Sequence, residues 1–441
     1  MPVALFPLLL AGCSDDEPSP EEHDKAPKVQ KQKARQQKGP RPQPDVARAL
    51  AELIDERAAS IRSTDREAFL AGVAPGDAAF VADQTTYLDN LDQLPLGRFD
   101  LSLEPASMTR SGRAVWATVT VTTELEGYDA RPVVTPDRYR FTPRGKGRYV
   151  VASVTDQAWE AQNDVDPPPW ELGPITVLTG DGVLGIFDAG SAGLAGAVVS
   201  EVQDGASAVA AEIPYEWTDG VVVYALDDPA FLSSLDEVPG ADPLNLDAVS
   251  FEVMAKPGTH AVASTRFVLN PDVLGGRRTS LGRLIRHELT HVALGSRADG
   301  VPTWLSEGLA EYVSVRPMAP EDRAISGAAL TAAEDGLTTL PADKDFGGPG
   351  SEAGYGIAWW ACEYLAESYT ESVLWTLLEA MPEERPDKVL EDLVGMDERQ
   401  LARKAGNLML DTYRPEPKPE PKPKPEPKPD PKPSKSPKKS G

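Results

Sequence analysis

Prolines occupy every second position from Pro415 to Pro433, close to the end of this 441-residue chain. Proline fixes its φ angle and lacks a backbone N–H, so this alternation excludes helix and sheet and favours an extended polyproline II conformation. Towards the other end, residues 14–44 are polar and charged without apolar periodicity, a composition that cannot bury a core. The sequence therefore confines the folded structure to about residues 45–413, and we expect a disordered tether at 14–44 and a disordered tail at 414–441.

The charge balance limits the partners that the chain can bind. The sequence has 69 Asp and Glu residues against 44 Lys and Arg residues, a formal net charge of −25. Nucleic-acid binders and proteins that bind anionic lipid through a basic face have the opposite balance, so both classes are disfavoured. The two cysteines cannot form a disulfide framework, and the four histidines make any cluster of them informative.

The first thirteen residues, MPVALFPLLLAGC, are typical of a secretory signal peptide, because the apolar run is too short to span a bilayer. Residues 10–13 (Leu-Ala-Gly-Cys) resemble the bacterial lipobox, which implies lipidation of Cys13 and an extracytoplasmic location on the cell membrane. No Lys or Arg precedes the apolar run, which leaves open a start upstream of Met1. The alternative is an unprocessed apolar terminus with an incidental cysteine.

Residues 45–165 are predicted to form an α+β domain. Asp45 is a suitable helix N-cap, and apolar residues follow it at helical spacing. Between residues 99 and 154 the period changes to two: at 115–122 valines and an alanine alternate with a tryptophan and threonines, and a strand pair follows at 138–142 and 148–154. This element order resembles the cystatin-like or nuclear-transport-factor-like cone. Since it contains no cluster of histidine, cysteine or acidic residues, we interpret it as a spacer or partner-binding module.

Residues 170–413 are predicted to form a second domain with a mixed sheet. A hairpin at 175–187, a helix at about 194–211, and strands at 221–226, 251–253 and 262–269 follow one another. We expect a helix to pack on this sheet. Because strand 262–269 directly precedes the next helix, we hypothesise that its edge pairs with an extended peptide substrate.

That next helix, predicted from Ser280 to the residue before Gly295, carries the sequence His-Glu-Leu-Thr-His at 287–291. His287 and His291 are one turn apart on the same face, so both imidazoles can bind one metal ion. Glu288 lies beside them, where it can take a proton from a metal-bound water. The alternative is an amphipathic helix with two surface histidines.

A third metal ligand is available on the following helix, predicted to begin at residue 302 or 303. Two short antiparallel helices would place Glu307 opposite the histidines, leaving the fourth position of a zinc ion for water. Glu311 is one turn further along on the same face. It could accept a hydrogen bond from a ligand histidine and fix its tautomer. For each acid the alternative is a solvated surface carboxylate.

The motifs HELTH and WLSEGLAEY resemble those of the gluzincin zinc metallopeptidases, specifically the peptidase MA-like branch related to thermolysin and aminopeptidase N. The resemblance implies one Zn²⁺ bound by His287, His291 and Glu307, with Glu288 as the general base. The match to Glu311 is in spacing only, because thermolysin-like enzymes have Asp there. The spacer between His291 and Glu307 is shorter than in the aminopeptidases, and no Gly-x-Met-Glu-Asn-type stretch is present to bind a substrate amino terminus. These two departures argue against aminopeptidase specificity and leave the zinc-site prediction unchanged.

The resemblance also implies a role for a tyrosine at the start of a third helix, predicted from residue 351. In the aminopeptidase-like relatives this tyrosine donates to the developing oxyanion, and Tyr355 occupies the similar place; the alternative is a packing tyrosine. Cys362 on the same helix is interpreted as a buried packing thiol. His260 is interpreted as a loop histidine, with a position facing the cleft as the alternative.

These observations favour a zinc metallopeptidase that hydrolyses peptide or protein substrates at the cell surface, with the membrane contacted through the lipid on Cys13. The alternative is a catalytically silent surface lipoprotein that binds a protein or cell-wall partner. A third possibility is a structural assembly protein in which the domain at 45–165 is the working part. The intact HExxH motif and Glu307 argue against the silent binding protein, since a binding module has no need of the base Glu288.

Overall fold

The part of the chain that this computed structural model describes comprises residues 44–163, 165–217, 220–235, 243–274, 276, 278–347 and 350–414. The predicted signal segment with Cys13, the predicted tether apart from Pro44, and the predicted tail apart from Arg414 lie outside these residues. Within the described residues, no helix is both long enough and apolar enough to cross a bilayer.

Three helices precede the first sheet: α1 (Pro44–Arg62), α2 (Arg66–Ala71) and α3 (Ala78–Leu91). α1 buries Leu50, Leu53 and Ile54, the apolar positions that its helical spacing predicts. The prediction that Asp45 caps this helix is wrong, because the helix already begins at Pro44 and Asp45 lies in its first turn. There its carboxylate still interacts favourably with the positive end of the helix dipole.

The first sheet is antiparallel and consists of β1 (Leu96–Leu103), β2 (Thr109–Ser111), β3 (Ala114–Leu125), β4 (Val133–Gly145) and β5 (Arg148–Ser153). Its strand order is β1-β3-β4-β5, with β2 paired to β3. The predicted alternation in β3 is confirmed, because Val115, Ala117, Val119 and Val121 are all buried. Two short helices, α4 (Gln157–Asn163) and α5 (Pro169–Leu172), lead to the second sheet.

The second sheet is mixed, as predicted, so the described residues form an α+β fold with two sheets. Its strands are β6 (Ile175–Gly180), β7 (Val183–Asp188), β8 (Val221–Ala225), β9 (Ala248–Met254) and β10 (Val262–Leu269). The order is β6-β7-β8-β10-β9, in which β7, β8 and β10 are parallel while β6 and β9 are antiparallel edges. Between the strands lie α6 (Ala195–Glu212), which is the predicted helix, and α7 (Ala230–Ser234).

The central strand β8 of the second sheet is buried on both faces. Val221 and Val223 of β8 belong to the apolar core that includes α6 and the later helices. Val222 and Tyr224 of the same strand belong to the core that includes α1 and the first sheet. A parallel strand covered on both sides needs a continuous apolar sequence, which is what residues 221–226 show.

A buried ion pair joins the first sheet to the second. Asp129, in the β3–β4 connection, accepts a 2.6 Å bond from Nη2 of Arg266 on β10, and both side chains are almost fully buried. Arg266 also donates to the hydroxyls of Tyr224 and Ser264, so its guanidinium is well satisfied. The boundary between the predicted domains 45–165 and 170–413 is therefore crossed by a shared core and a shared polar network.

The remaining α-helices of the described chain are α8 (Arg278–Leu294), α9 (Thr303–Val315), α10 (Gly327–Asp335), α11 (Ser351–Ser368), α12 (Ser372–Ala380), α13 (Pro386–Val394) and α14 (Glu398–Tyr413). α9 and α11 pack very closely at Gly308. A Cβ atom at this position would lie 2.6 Å from the carbonyl oxygen of Ala358 and 2.8 Å from Sγ of Cys362. The glycine next to Glu307 thus lets α9 lie directly on α11.

Candidate metal centre and active site

The two histidines of the motif lie on α8 with their rings facing the same point. Nε2 of His287 and Nε2 of His291 are 3.2 Å apart, and the ring centroids are 4.9 Å apart. The i, i+4 spacing puts the side chains one above the other on one helix face. His287 is 8% exposed, so its ring is held inside the protein.

Glu307 on α9 completes the group. Its Oε2 lies 3.2 Å from Nε2 of His287 and 3.4 Å from Nε2 of His291. Zinc bonds of about 2.0–2.1 Å in a tetrahedron require neighbouring ligand atoms about 3.3–3.5 Å apart. The three ligand atoms therefore already have the spacing of one face of such a tetrahedron, and two imidazoles with a carboxylate are a donor set that zinc accepts.

His287 and Glu307 shift each other's pKa in opposite directions. Burial alone would lower the pKa of the His287 imidazole, but the carboxylates of Glu307 and Glu311 more than offset it and hold this pKa well above 6.5. Burial would raise the pKa of Glu307, yet His291 and His287 hold it below its usual range. The His287 imidazole and the Glu307 carboxylate thus favour each other's charged form.

Glu311 orients His287 from the side away from the ligand atoms. Its Oε1 lies 3.1 Å from Nδ1 of His287, a buried ring nitrogen that has no other partner among the described residues. Its Oε2 accepts a short hydrogen bond from Arg283 on α8. Burial would raise the pKa of Glu311, whereas His287 and Arg283 lower it, so the group is an anion that can fix the His287 tautomer.

Glu288 lies beside the ligand atoms and is 5% exposed. Its Oε2 accepts a 2.6 Å hydrogen bond from the hydroxyl of Ser250 on β9. This contact leaves the other carboxylate oxygen for a second partner. A carboxylate next to the metal ligands, held by one donor, has the placement that a general base needs.

Tyr355 is brought to the same site from the start of α11. Its ring centroid is 5.9 Å from that of His287, and its hydroxyl makes a long 3.4 Å contact to the carbonyl oxygen of Phe346. Burial, followed by the nearby carboxylates of Glu307 and Glu288, raises the pKa of the phenol. The hydroxyl is therefore a neutral donor at physiological pH, as the predicted oxyanion role requires.

An open cleft crosses the site along β9. One cavity of about 500 Å³ extends towards α10 and the start of α11, and another of about 360 Å³ extends along β9 towards Asp299. His287, Glu288 and Tyr355 line both cavities, so they lie where the two meet. A chain laid through the cleft would cross the metal ligands near its middle.

The hypothesis that residues 262–269 pair with a substrate is wrong. These residues form β10, which is paired with β8 on one side and β9 on the other. Among the described strands, β9 is the one at the edge of the sheet beside the site. Strand order depends on contacts distant in sequence, so the proximity of residues 262–269 to the HELTH helix in the sequence did not reveal it.

Two further positions singled out in the sequence, Cys362 and His260, line neither cavity of the cleft. Cys362 is fully buried on α11, and burial raises the pKa of its thiol, so the prediction of a packing cysteine is confirmed. His260 is an exposed residue of the β9–β10 turn and lines neither cavity of the cleft. Cys13 lies outside the described residues.

The sequence did not reveal Ser250 or Arg283. Ser250 lies 38 residues from Glu288, and no local pattern marks it. Arg283 does carry a signal, since it lies four residues before His287 on the same helix face. A cation one turn from a metal ligand could have suggested a partner for Glu311.

No protein-family model and no curated protein matches the chain. Among solved structures, the chain matches "Structure of native yeast LTA4 hydrolase" with 9% sequence identity and a TM-score of 0.31. The match covers 70% of this chain and 66% of that chain, which is just under two thirds of its length. So remote a likeness supports neither a shared fold nor a shared activity, and the function proposed for this chain depends on its own side-chain geometry.

Proposed function

We propose that this chain is a zinc-dependent metallopeptidase of the gluzincin type. The observation that carries the proposal is the convergence of His287, His291 and Glu307 within metal-ligand distance, beside the buried carboxylate of Glu288, at the middle of an open cleft. When bound, zinc would lower the pKa of a water molecule and polarise the scissile carbonyl.

Side chains of the protein carry out the remaining steps of the proposed reaction. Glu288 accepts the water proton and returns it to the leaving amine, while Ser250 holds one of its carboxylate oxygens in place. Tyr355 turns its hydroxyl from the weak contact with Phe346 to the substrate oxygen that gains negative charge. Glu311 and Arg283 keep His287 in its orientation.

The edge strand supports a peptide as the substrate class. β9 offers backbone groups that have no strand partner among the described residues, so an extended peptide can add to the sheet there. The proposed reaction is accordingly hydrolysis of a peptide bond within an extended segment.

The test compares two variants with the wild type in hydrolysis of a mixed peptide library and in zinc content. Glu288→Gln is expected to keep one zinc ion per chain and to lose hydrolysis by at least about a hundredfold, since general-base catalysis contributes that much or more. Glu307→Ala is expected to lose the zinc itself. Glu352→Gln, which removes an exposed carboxylate in the same cleft, should change neither.

Full activity in Glu288→Gln would refute the mechanism. Zinc binding without hydrolysis of any peptide by the wild type would instead favour a catalytically silent binding protein.

We further propose that the protein is anchored on the outer face of a bacterial cell membrane by lipid on Cys13. The resemblance of residues 10–13 to a lipobox supports this placement. Incorporation of a labelled fatty acid into the wild type but not into Cys13→Ala is the expected result. Equal labelling of both proteins would exclude the anchor.

A further inference from the structure

A second cavity, separate from the cleft, is basic. It has a volume of about 480 Å³ and lies where the first sheet meets the β9–β10 turn. Its charged lining consists of Arg98 from β1, Arg131 from the β3–β4 connection and Lys256 from the turn. Thr122 and Thr259 add hydroxyl groups to the same wall. We call this cavity the basic pocket.

The cations of the basic pocket are incompletely neutralised. Nε of Arg98 bonds Oδ2 of Asp100 at 2.8 Å, so this cation is shared with an acid on its own strand. Arg131 and Lys256 are exposed, and neither has a carboxylate within 4.0 Å among the described residues. In a chain with a net charge of −25, a concave site lined by two cations that have no acidic partner among the described residues is a local concentration of positive charge.

The basic pocket and the metal centre are connected by β9. Ser250, near the start of this strand, bonds Glu288, and Ala255, directly after the strand, lines the pocket. Five residues of strand span about 17 Å. The first sheet meets the end of β9 at this point, because the amide of Val134 donates a 2.9 Å bond to the carbonyl oxygen of Ala255.

We propose that the basic pocket binds an acidic segment of the polypeptide substrate, about five to seven residues from the scissile bond. This inference rests on the proposed peptidase function. A peptide added along β9 reaches the pocket after about the number of residues that separates Ser250 from Ala255. Carboxylates of Asp or Glu at that distance meet Arg131 and Lys256, with which they form charge-assisted hydrogen bonds. The cavity is large enough for more than one such side chain.

Binding is tested first, without reference to catalysis. Fluorescence anisotropy of the full-length protein would measure the Kd of a labelled peptide with a block of three Glu residues and of the same peptide with Gln in their place. We expect the acidic peptide to bind about tenfold more tightly. Arg131→Gln with Lys256→Gln should abolish this preference and leave the Kd of the Gln peptide unchanged.

The matched control removes the same charges elsewhere. Arg113→Gln with Lys146→Gln changes two exposed cations in the turns of the first sheet, neither of which lines the pocket. This control should keep the tenfold preference. Loss of the preference in the control as well would show a general charge effect and overturn the proposal. Inorganic phosphate that displaces the acidic peptide at micromolar concentration would also overturn it, in favour of a small-anion site.

The second measurement places the pocket relative to the metal centre. In peptides with the Glu block two, six or ten residues from the cleaved bond, on either side of it, only the block at six on one side should lower KM. The double variant should raise that KM about tenfold and leave kcat unchanged. If the double variant weakens the Kd of the acidic peptide but the wild type cleaves none of the peptides, the result would support the pocket and refute the peptidase function. If the peptides are cleaved with an equal KM at all positions of the Glu block, the result would refute the pocket's role in an active peptidase.

Discussion

The hydroxyl of Ser250 lies 2.6 Å from Oε2 of Glu288, which joins the edge strand β9 to the carboxylate beside the metal ligands. The strand on which a substrate would lie is thus also the strand that holds the base. A substrate added to β9 would therefore lie close to Glu288, the proposed general base.

Replacing Ser250 with alanine tests this connection. Without the hydroxyl, the Glu288 side chain is free to rotate, and we expect kcat to fall about tenfold with the zinc content unchanged, because a misplaced base loses part of its catalytic contribution. Hydrolysis assays at a saturating peptide concentration would measure the change in kcat. Ser250→Thr keeps the hydroxyl and should retain most of the activity, whereas equal losses in both variants would show that packing rather than the hydrogen bond matters.

Glu311 is predicted to act through the metal ligand that it orients. Glu311→Gln removes the charge next to His287 and should weaken zinc binding about 10- to 100-fold, the usual effect of losing such a partner. Competition with a chromophoric chelator gives the zinc affinity directly. An unchanged affinity in Glu311→Gln would assign this carboxylate to its ion pair with Arg283 alone.

The ion pair between Asp129 and Arg266 predicts a large loss of stability when it is broken. Asp129→Asn leaves the guanidinium buried without its counter-charge, which should lower the free energy of unfolding by about 3–5 kcal/mol. Denaturant titration measures this change. Asp89→Asn breaks the half-exposed ion pair with Arg66 and should cost no more than about 1 kcal/mol. Equal effects of the two substitutions would contradict the claim that the buried pair ties the two sheets together.

Asp137 on β4 predicts a pH dependence of stability. Burial raises its pKa from 3.8 to about 7, assisted by the Glu160 carboxylate and opposed by Arg57. Between these two pH values the folded state holds a proton that the unfolded state has released, so this group lowers stability as the pH rises through the interval. Asp137→Asn cannot ionise, and its stability relative to the wild type should increase from pH 4 to pH 8.

Thermal unfolding of both proteins across this range checks the prediction. Asp83→Asn, at an exposed position on α3, serves as the control and should show no such trend. A stability difference that is constant with pH would show that Asp137 ionises in the folded protein as it does in the unfolded chain.

The metal centre was predictable from the sequence because its determinants are local. Helical spacing alone places His287, His291 and Glu288, and the acid on the next helix can reach them only if the two helices are antiparallel. Tyr355 was placed by resemblance to a family rather than by periodicity, and the structure brings it to the same cleft.

The contacts that depend on strand order were not predictable. β10 comes after both of its neighbours in the sequence, yet it lies between them in the sheet. The edge strand is therefore β9, and the sequence did not indicate that Ser250 on this strand contacts Glu288. The shared core is a second case, because the apolar run of β8 reveals that both faces are buried but not which elements cover them. Asp129 and Arg266 are 137 residues apart, and no local pattern relates them.

The most direct test of the account is the zinc content of the purified full-length protein after exhaustive dialysis, measured by elemental mass spectrometry. The geometry of His287, His291 and Glu307 predicts one zinc ion per chain, and it predicts none in Glu307→Ala, provided that circular dichroism shows the variant to be folded. A wild-type protein that retains no zinc after incubation with micromolar zinc and dialysis would contradict the account. So would a folded Glu307→Ala protein that retains one zinc ion per chain with the affinity of the wild type.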